Sequence, residues 1–237
     1  MDSKLLDSLP SKTKSKLEEL REALVSALGD DLQALVLYGS AVRGGFQEGR
    51  SDVDLLVVLR HDDRPILEKI GGALLLARTS ARIESMLLRG DELQRAADVF
   101  PLLYDDVRSR HALLHGDDPF AGLEISDVHR RLRIEQELRD ARIRLRLVLS
   151  EAPLLPRLLN GAVARKVKQL RSPLHALLRL RGRTVEDGIE AVMRDACSLY
   201  QVDAKVLLRF DEDPEASYDA LTKLLDAAIA DVDALEV

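Results

Sequence analysis

An α/β (α+β) fold, a small mixed sheet with helices on one side followed by a C-terminal all-helical domain, is predicted by three observations. Short Leu- and Val-rich runs alternate with segments of helical period through residues 1–120. Strand signals fade beyond Asp118-Pro119. Long helical patterns then occupy about 126–150 and 214–235. An α/β domain is therefore expected over 1–120 and a helical domain over 121–237.

The elements follow in order. Leu17, Leu20, Leu24 and Leu28 recur at three- and four-residue steps, so Ser11 to Leu28 reads as a helix that covers the sheet, with Gly29 as its stop. Strands are expected at about 32–38, 53–60, 82–88 and 100–107, with helices near 65–79 and 91–98 between the later ones. Ser126 is placed to N-cap the long helix, with Asp127 in its first turn. Pro153, Pro156 and Pro173 punctuate further helices, and Gly182 to Thr184 reads as a turn before another. The last pattern alternates Ala and Leu with Asp as an amphipathic helix. No internal repeat or low-complexity linker interrupts the chain.

Function is legible where two motifs meet. The apolar run Leu35-Val36-Leu37 ends at Tyr38-Gly39-Ser40, a buried strand delivering the chain to a tight loop. Gly39 lets backbone N–H groups approach a phosphate, and a short helix beginning at Ser40 would add amide donors and a hydroxyl. After eleven intervening residues, Asp52 and Asp54 open a Leu- and Val-rich strand. Two apart on a strand, they leave one face of the sheet and can converge. Such a carboxylate pair suits Mg²⁺, and two ions roughly 3.5–4 Å apart can clamp both oxygens of an in-line phosphoryl displacement. Either motif alone is weak. Together, joined by the glycine-bearing loop of Gly44, Gly45 and Gly49, they are hard to explain as packing. Arg43, in the loop after Ser40, can fork onto phosphate oxygens, or pair with Glu48 or Asp52 instead.

These residues resemble the DNA polymerase β-like nucleotidyltransferase superfamily, in particular its minimal nucleotidyltransferase and aminoglycoside nucleotidyltransferase types and two-domain bacterial members. The resemblance covers about residues 30–125. Tyr38-Gly39-Ser40-Ala41-Val42-Arg43-Gly44 is similar to the family's Gly-Ser signature with its downstream arginine, and Ser51 to Leu55 to its aspartate strand. Asp98 to Leu102 and His115 to Phe120 resemble uncharacterised two-domain members. The resemblance implies a third metal-binding carboxylate on a later strand. Glu84 in Arg82-Ile83-Glu84-Ser85 is favoured, with Asp105 and Asp106 one strand later as the alternatives; the ordinary reading of Glu84 is an exposed strand residue paired with Arg82. It also implies an NTP donor, ATP first, and a general base on a second-domain helix. Glu135, with Glu137 beside it, stands where such a base belongs; the ordinary alternative is an intrahelical partner for Arg131 or Arg139.

Composition agrees with a cytoplasmic enzyme. The 46% hydrophobic content is ample for a core filled by Leu, Val and Ile, since aromatics make only 3% and Trp is absent. One cysteine, Cys197, excludes an internal disulfide and reads as a small buried residue. The chain has no eighteen-residue apolar span, and its polar start, Met1 to Lys4, lacks a signal-peptide core. No membrane association is expected. A net charge of −6 and a pI near 5.5 make nucleic acid an unfavoured partner. Arg130, Arg131, Arg133, Arg139, Arg142, Arg144 and Arg146 crowd one helix, but Glu135, Glu137 and Asp140 interrupt them as a salt-laced face. The sharper reading has one or two of these arginines reaching the triphosphate. His111 and His115 could share a helical face but lack a third ligand for zinc. Tyr38 reads as packing rather than pocket lining.

Two function classes result. One is a Mg²⁺-dependent transfer of a nucleoside monophosphate to a hydroxyl of a small molecule or protein. The other is a non-catalytic nucleotide-binding regulator or antitoxin-like, partner-binding protein of the same fold. A partner protein or a homo-oligomer is compatible with either class.

Overall fold

In the computed structural model, which describes residues 9–44, 46–151 and 157–237, helix α1 spans Ser11–Leu28 and buries the leucine stripe at 17, 20, 24 and 28. Gly45, Pro153, Pro156 and the start at Met1 to Lys4 lie outside the described residues. A 3-10 turn, Gly29–Asp31, leads into strand β1, Leu32–Tyr38. The short helix α2, Ser40–Arg43, and strand β2, Val53–Leu59, follow. Both strands are buried almost throughout, which is why they read as continuous apolar runs rather than alternating ones.

Helix α3, Arg64–Ala81, is capped by Asp63, whose carboxylate accepts the Ile66 amide at 3.2 Å. It is the crossover that allows strand β3, Ile83–Arg89, to lie parallel to β2. The four-stranded sheet has the order β3-β2-β1-β4, with β1 antiparallel to both β2 and β4, Ala112–Gly116. It is therefore mixed, as expected. Leu35, Leu37, Leu55, Val57, Leu59 and Ile83 form one face, packed into a single core with the α1 leucines and with Ile66 and Ile70 of α3.

The expected strand at 100–107 is instead helix α5, Pro101–Ser109, after the short α4, Gly90–Arg95. Pro101 takes the first helical position, where its missing N–H costs nothing. Buried Pro101, Tyr104 and Val107 recur at three-residue steps, a helical spacing hidden inside an apolar run. The fourth strand is the next segment, 112–116, so His111 and His115 share no helical face: His115 lies on β4 opposite Leu35.

The chain divides into two compact units, one of residues 1–97 and 104–124, the other of 98–103 and 125–237. The second is helical: α6 Asp127–Glu151, α7 Arg157–Gln169, α8 Arg171–Leu180, α9 Ile189–Leu199, α10 Ala204–Leu208 and α11 Pro214–Asp233. The Ser126 hydroxyl accepts the Val128 amide at 3.2 Å, as an N-cap should. Pro173 falls in the first turn of α8, and 183–186 links to α9 without regular structure. One core joins Ile134, Leu138 and Leu145 of α6 to leucines of α8 and α11. Cys197 is buried in it.

Candidate active site

Strand β1 ends at Tyr38, and Gly39 turns the chain at φ 73 and ψ −151, a region essentially confined to glycine. Glycine is required there twice over. A Cβ on Gly39 would lie 2.0 Å from Asp54 Oδ2, so the Asp54 carboxylate rests against the backbone of the turn. Helix α2 begins at Ser40, where the sequence places it, and its Arg43 amide returns to the Gly39 carbonyl at 3.2 Å.

Sheet register then assembles the carboxylates. Tyr38 pairs with Asp54 across β1 and β2, and Asp54 pairs with Glu84 across β2 and β3. Directly paired residues project to the same face, as does Asp52 two residues before Asp54. The three carboxylates interact. Burial first, then the like charges of Asp52 and Glu84, push Asp54 up to about 6, against the opposing pull of Arg43. Burial and the Asp54 charge likewise push the Tyr38 phenol up to about 12. Tyr38 thus borders the acidic group as well as packing, a neighbour relation that only the register reveals.

This donor set fits a hard divalent cation. Three oxygen-donor side chains on one sheet face repel one another, and a cation would relieve that repulsion. Arginines hold the outer two carboxylates: Arg82 approaches Asp52 Oδ1 to 2.7 Å, and Arg78 Nε donates to Glu84 Oε1 at 3.1 Å. The sequence holds no local sign of either pair, because their partners lie six and thirty positions apart.

Arg43 pairs with Asp106 of α5 at 3.7 Å, with both side chains mostly buried, rather than with Glu48 or Asp52. Asp105 and Asp106 therefore sit on a helix, not on a strand beside Asp54. Glu135 belongs to the second unit, on α6, where Arg139 Nε donates to it at 2.8 Å and Arg131 lies at 3.4 Å. Glu137 is held by Arg133 at 2.9 Å. The arginine-rich face is salt-laced, with Arg130, Arg142 and Arg144 also paired, to Asp127, Asp226 and Asp140.

The whole architecture is similar to that of a solved structure of spectinomycin adenyltransferase AAD(9) from Enterococcus faecialis, with ATP and spectinomycin. The match has a TM-score of 0.58 over 93% of this chain and 99% of that one, at 12% identity. That likeness is one of fold. No curated protein sequence matches the chain. The Nucleotidyltransferase domain family model matches residues 17–144, more than half of the chain and all four strands with the Gly-Ser turn and the carboxylate face. With its polymerase β-like core and helical C-terminal unit, the chain belongs to the nucleotidyltransferase domain family.

Proposed function

We propose that the protein transfers a nucleoside monophosphate from an NTP, ATP being the favoured donor, to a hydroxyl acceptor with release of pyrophosphate. The observation that carries this reading is the contact of the Asp54 carboxylate with the backbone of the Gly39 turn, which puts the Gly-Ser loop directly beside the acidic face. Gly39 and Ser40 would hold phosphate oxygens through backbone and hydroxyl donors, and Arg43 would orient them with a forked guanidinium. Asp52, Asp54 and Glu84 would hold Mg²⁺, which when bound neutralises charge developing on the transferred phosphoryl group. The chemistry asks this chain mainly for positioning. No proton transfer is assigned to Glu135, whose carboxylate is engaged by Arg131 and Arg139.

The acceptor we favour is a small hydroxylated molecule. Support comes from the fold of an adenyltransferase solved with ATP and spectinomycin, and from the acidic balance of this chain, which disfavours long polyanions. A cytoplasmic setting is proposed with it, from the lone buried cysteine. Among the described residues, no helix is long and apolar enough to cross a membrane.

The test is calorimetric titration of the four NTPs with and without Mg²⁺, on the wild type and on Asp52→Asn/Asp54→Asn, followed by pyrophosphate release with candidate hydroxyl acceptors. Metal-dependent binding of one NTP, lost in the double variant, is expected. Turnover should fall by roughly 10³-fold or more, since several kcal/mol of charge stabilisation would go. Glu84→Gln should cost turnover comparably. Unchanged turnover in the double variant would sink the reading.

A further inference from the structure

Asp52 and Glu84 are each claimed by a guanidinium from one short segment of chain. Arg78 stands in the last turn of α3, and Arg82 is that helix's C-cap. The backbone fixes where Arg82 starts from. Its φ of 54 and ψ of 38 are uncommon for a residue bearing a Cβ. Its amide bonds back to Arg78 O at 3.0 Å, and its carbonyl accepts the Val53 amide at 2.9 Å. That last bond pins Arg82 alongside the residue next to Asp52, and Arg82 Nε donates to Asp52 Oδ1 at 3.0 Å.

A guanidinium and a divalent cation seek the same carboxylate oxygens. The side chains are about half exposed, at 52% and 47% for Arg82 and Asp52 and 66% and 47% for Arg78 and Glu84. Exposed pairs of this kind are weak enough to exchange and strong enough to register in a binding constant. Asp54, by contrast, is shielded from solvent against Gly39.

We propose that Arg78 and Arg82 are internal competitors for the cation site of Asp52, Asp54 and Glu84, and that they set its metal affinity. This rests on the carboxylate-site reading above. The arginines hold the outer ligands in a neutralised arrangement, and a metal gains those ligands by displacing them. The displaced guanidiniums remain beside the site as positively charged forks, the geometry that suits phosphate oxygens.

The test uses Mn²⁺ alone, with no nucleotide and no turnover, followed by the electron paramagnetic resonance of the free ion and by calorimetry. The variants are Arg78→Gln, Arg82→Asn and their combination; Asn tolerates the left-handed backbone at position 82. Arg64→Gln is the control, removing the same charge from the first turn of the same helix, where Arg64 pairs with Glu68 at 2.6 Å. Roughly two- to fivefold tighter Mn²⁺ binding is expected in each site variant and about tenfold in the pair, with Arg64→Gln unchanged. Equal or weaker binding in both single variants, while Asp54→Asn still abolishes it, would overturn the competition and leave the carboxylate site standing. Tightening by Arg64→Gln as large as that by the site variants would overturn it too, as a general charge effect. If Asp54→Asn binds Mn²⁺ as the wild type does, the carboxylate reading fails and the competition with it. Circular dichroism melting checks each variant, and Arg78→Gln, at an exposed helical position, carries the test if Arg82→Asn does not fold.

Discussion

Gly39 and Asp54 are the pair on which the candidate site turns, and both are legible as residue types while their mutual contact is not. Replacing Gly39 by Ala puts a methyl group 2.0 Å from Asp54 Oδ2 on a backbone of φ 73. Strain on the order of 1–3 kcal/mol is expected from the backbone alone. The carboxylate must also move, so NTP binding by calorimetry should weaken at least about tenfold. Asp54 itself supplies a pH signature. Its native proton is bound more tightly than in the unfolded chain, so the stability it contributes is fully present below about pH 4 and lost as pH rises through about 6. Asp54→Asn, which carries no charge, is therefore expected to raise the melting temperature by a few degrees above pH 6. It should have little effect near pH 4. Melting curves of the two proteins across pH 4–8 check this, and a variant that is less stable at pH 7 contradicts it. The motif residues Gly39, Ser40, Asp52 and Asp54 could be picked out from spacing alone because each is close in sequence to its neighbours in the site. The pairings of Arg78 with Glu84, Arg82 with Asp52 and Arg43 with Asp106 could not, because long-range packing chooses the partner of a flexible charged side chain.

Helices with a repeated apolar stripe and strands bounded by turn residues are legible in the sequence, whereas the apolar run at 100–107 is not. The α1 leucine stripe, the buried β1 and β2 and the capped α6 and α11 each carry a signal over a full element. Residues 100–107 carry a run of apolar side chains too short to separate strand from helix by period, and Pro101 decides the matter by starting α5. The fourth strand is therefore the next segment, the five-residue β4. Helix α6 shows how little of a charged helix carries its stability. Ile134, Leu138, Ala141 and Leu145 are buried along one stripe, while most of its arginines and carboxylates pair at four-residue spacing outside it. Leu138→Ala should cost about 2–5 kcal/mol in denaturant unfolding. Arg144→Ala, which removes an exposed pair with Asp140, should cost less than about 1 kcal/mol. Equal losses in the two variants would contradict this division of labour.

At the scale of the molecule, charge decides which partners are compatible. The chain carries 41 acidic against 35 basic residues, and the one dense run of arginines, on α6, is neutralised by carboxylates on α6 and α11. No retention on single-stranded RNA or duplex DNA is therefore expected at an ionic strength of about 0.15 M. Salt-sensitive retention in a filter or shift assay would reopen a nucleic-acid acceptor. By itself the sequence determined the fold class, the succession of a sheet and a helical region, and the Gly-Ser and Asp-x-Asp motifs, because these are set by neighbours within a turn or a strand. Tertiary structure alone decided the parallel pairing that sets Glu84 beside Asp54, the packing of Asp54 on Gly39, the arginines that share the carboxylates, and the strand that completes the sheet. Each depends on register and packing between segments distant in the chain, and local periodicity carries no information about which distant segments will meet.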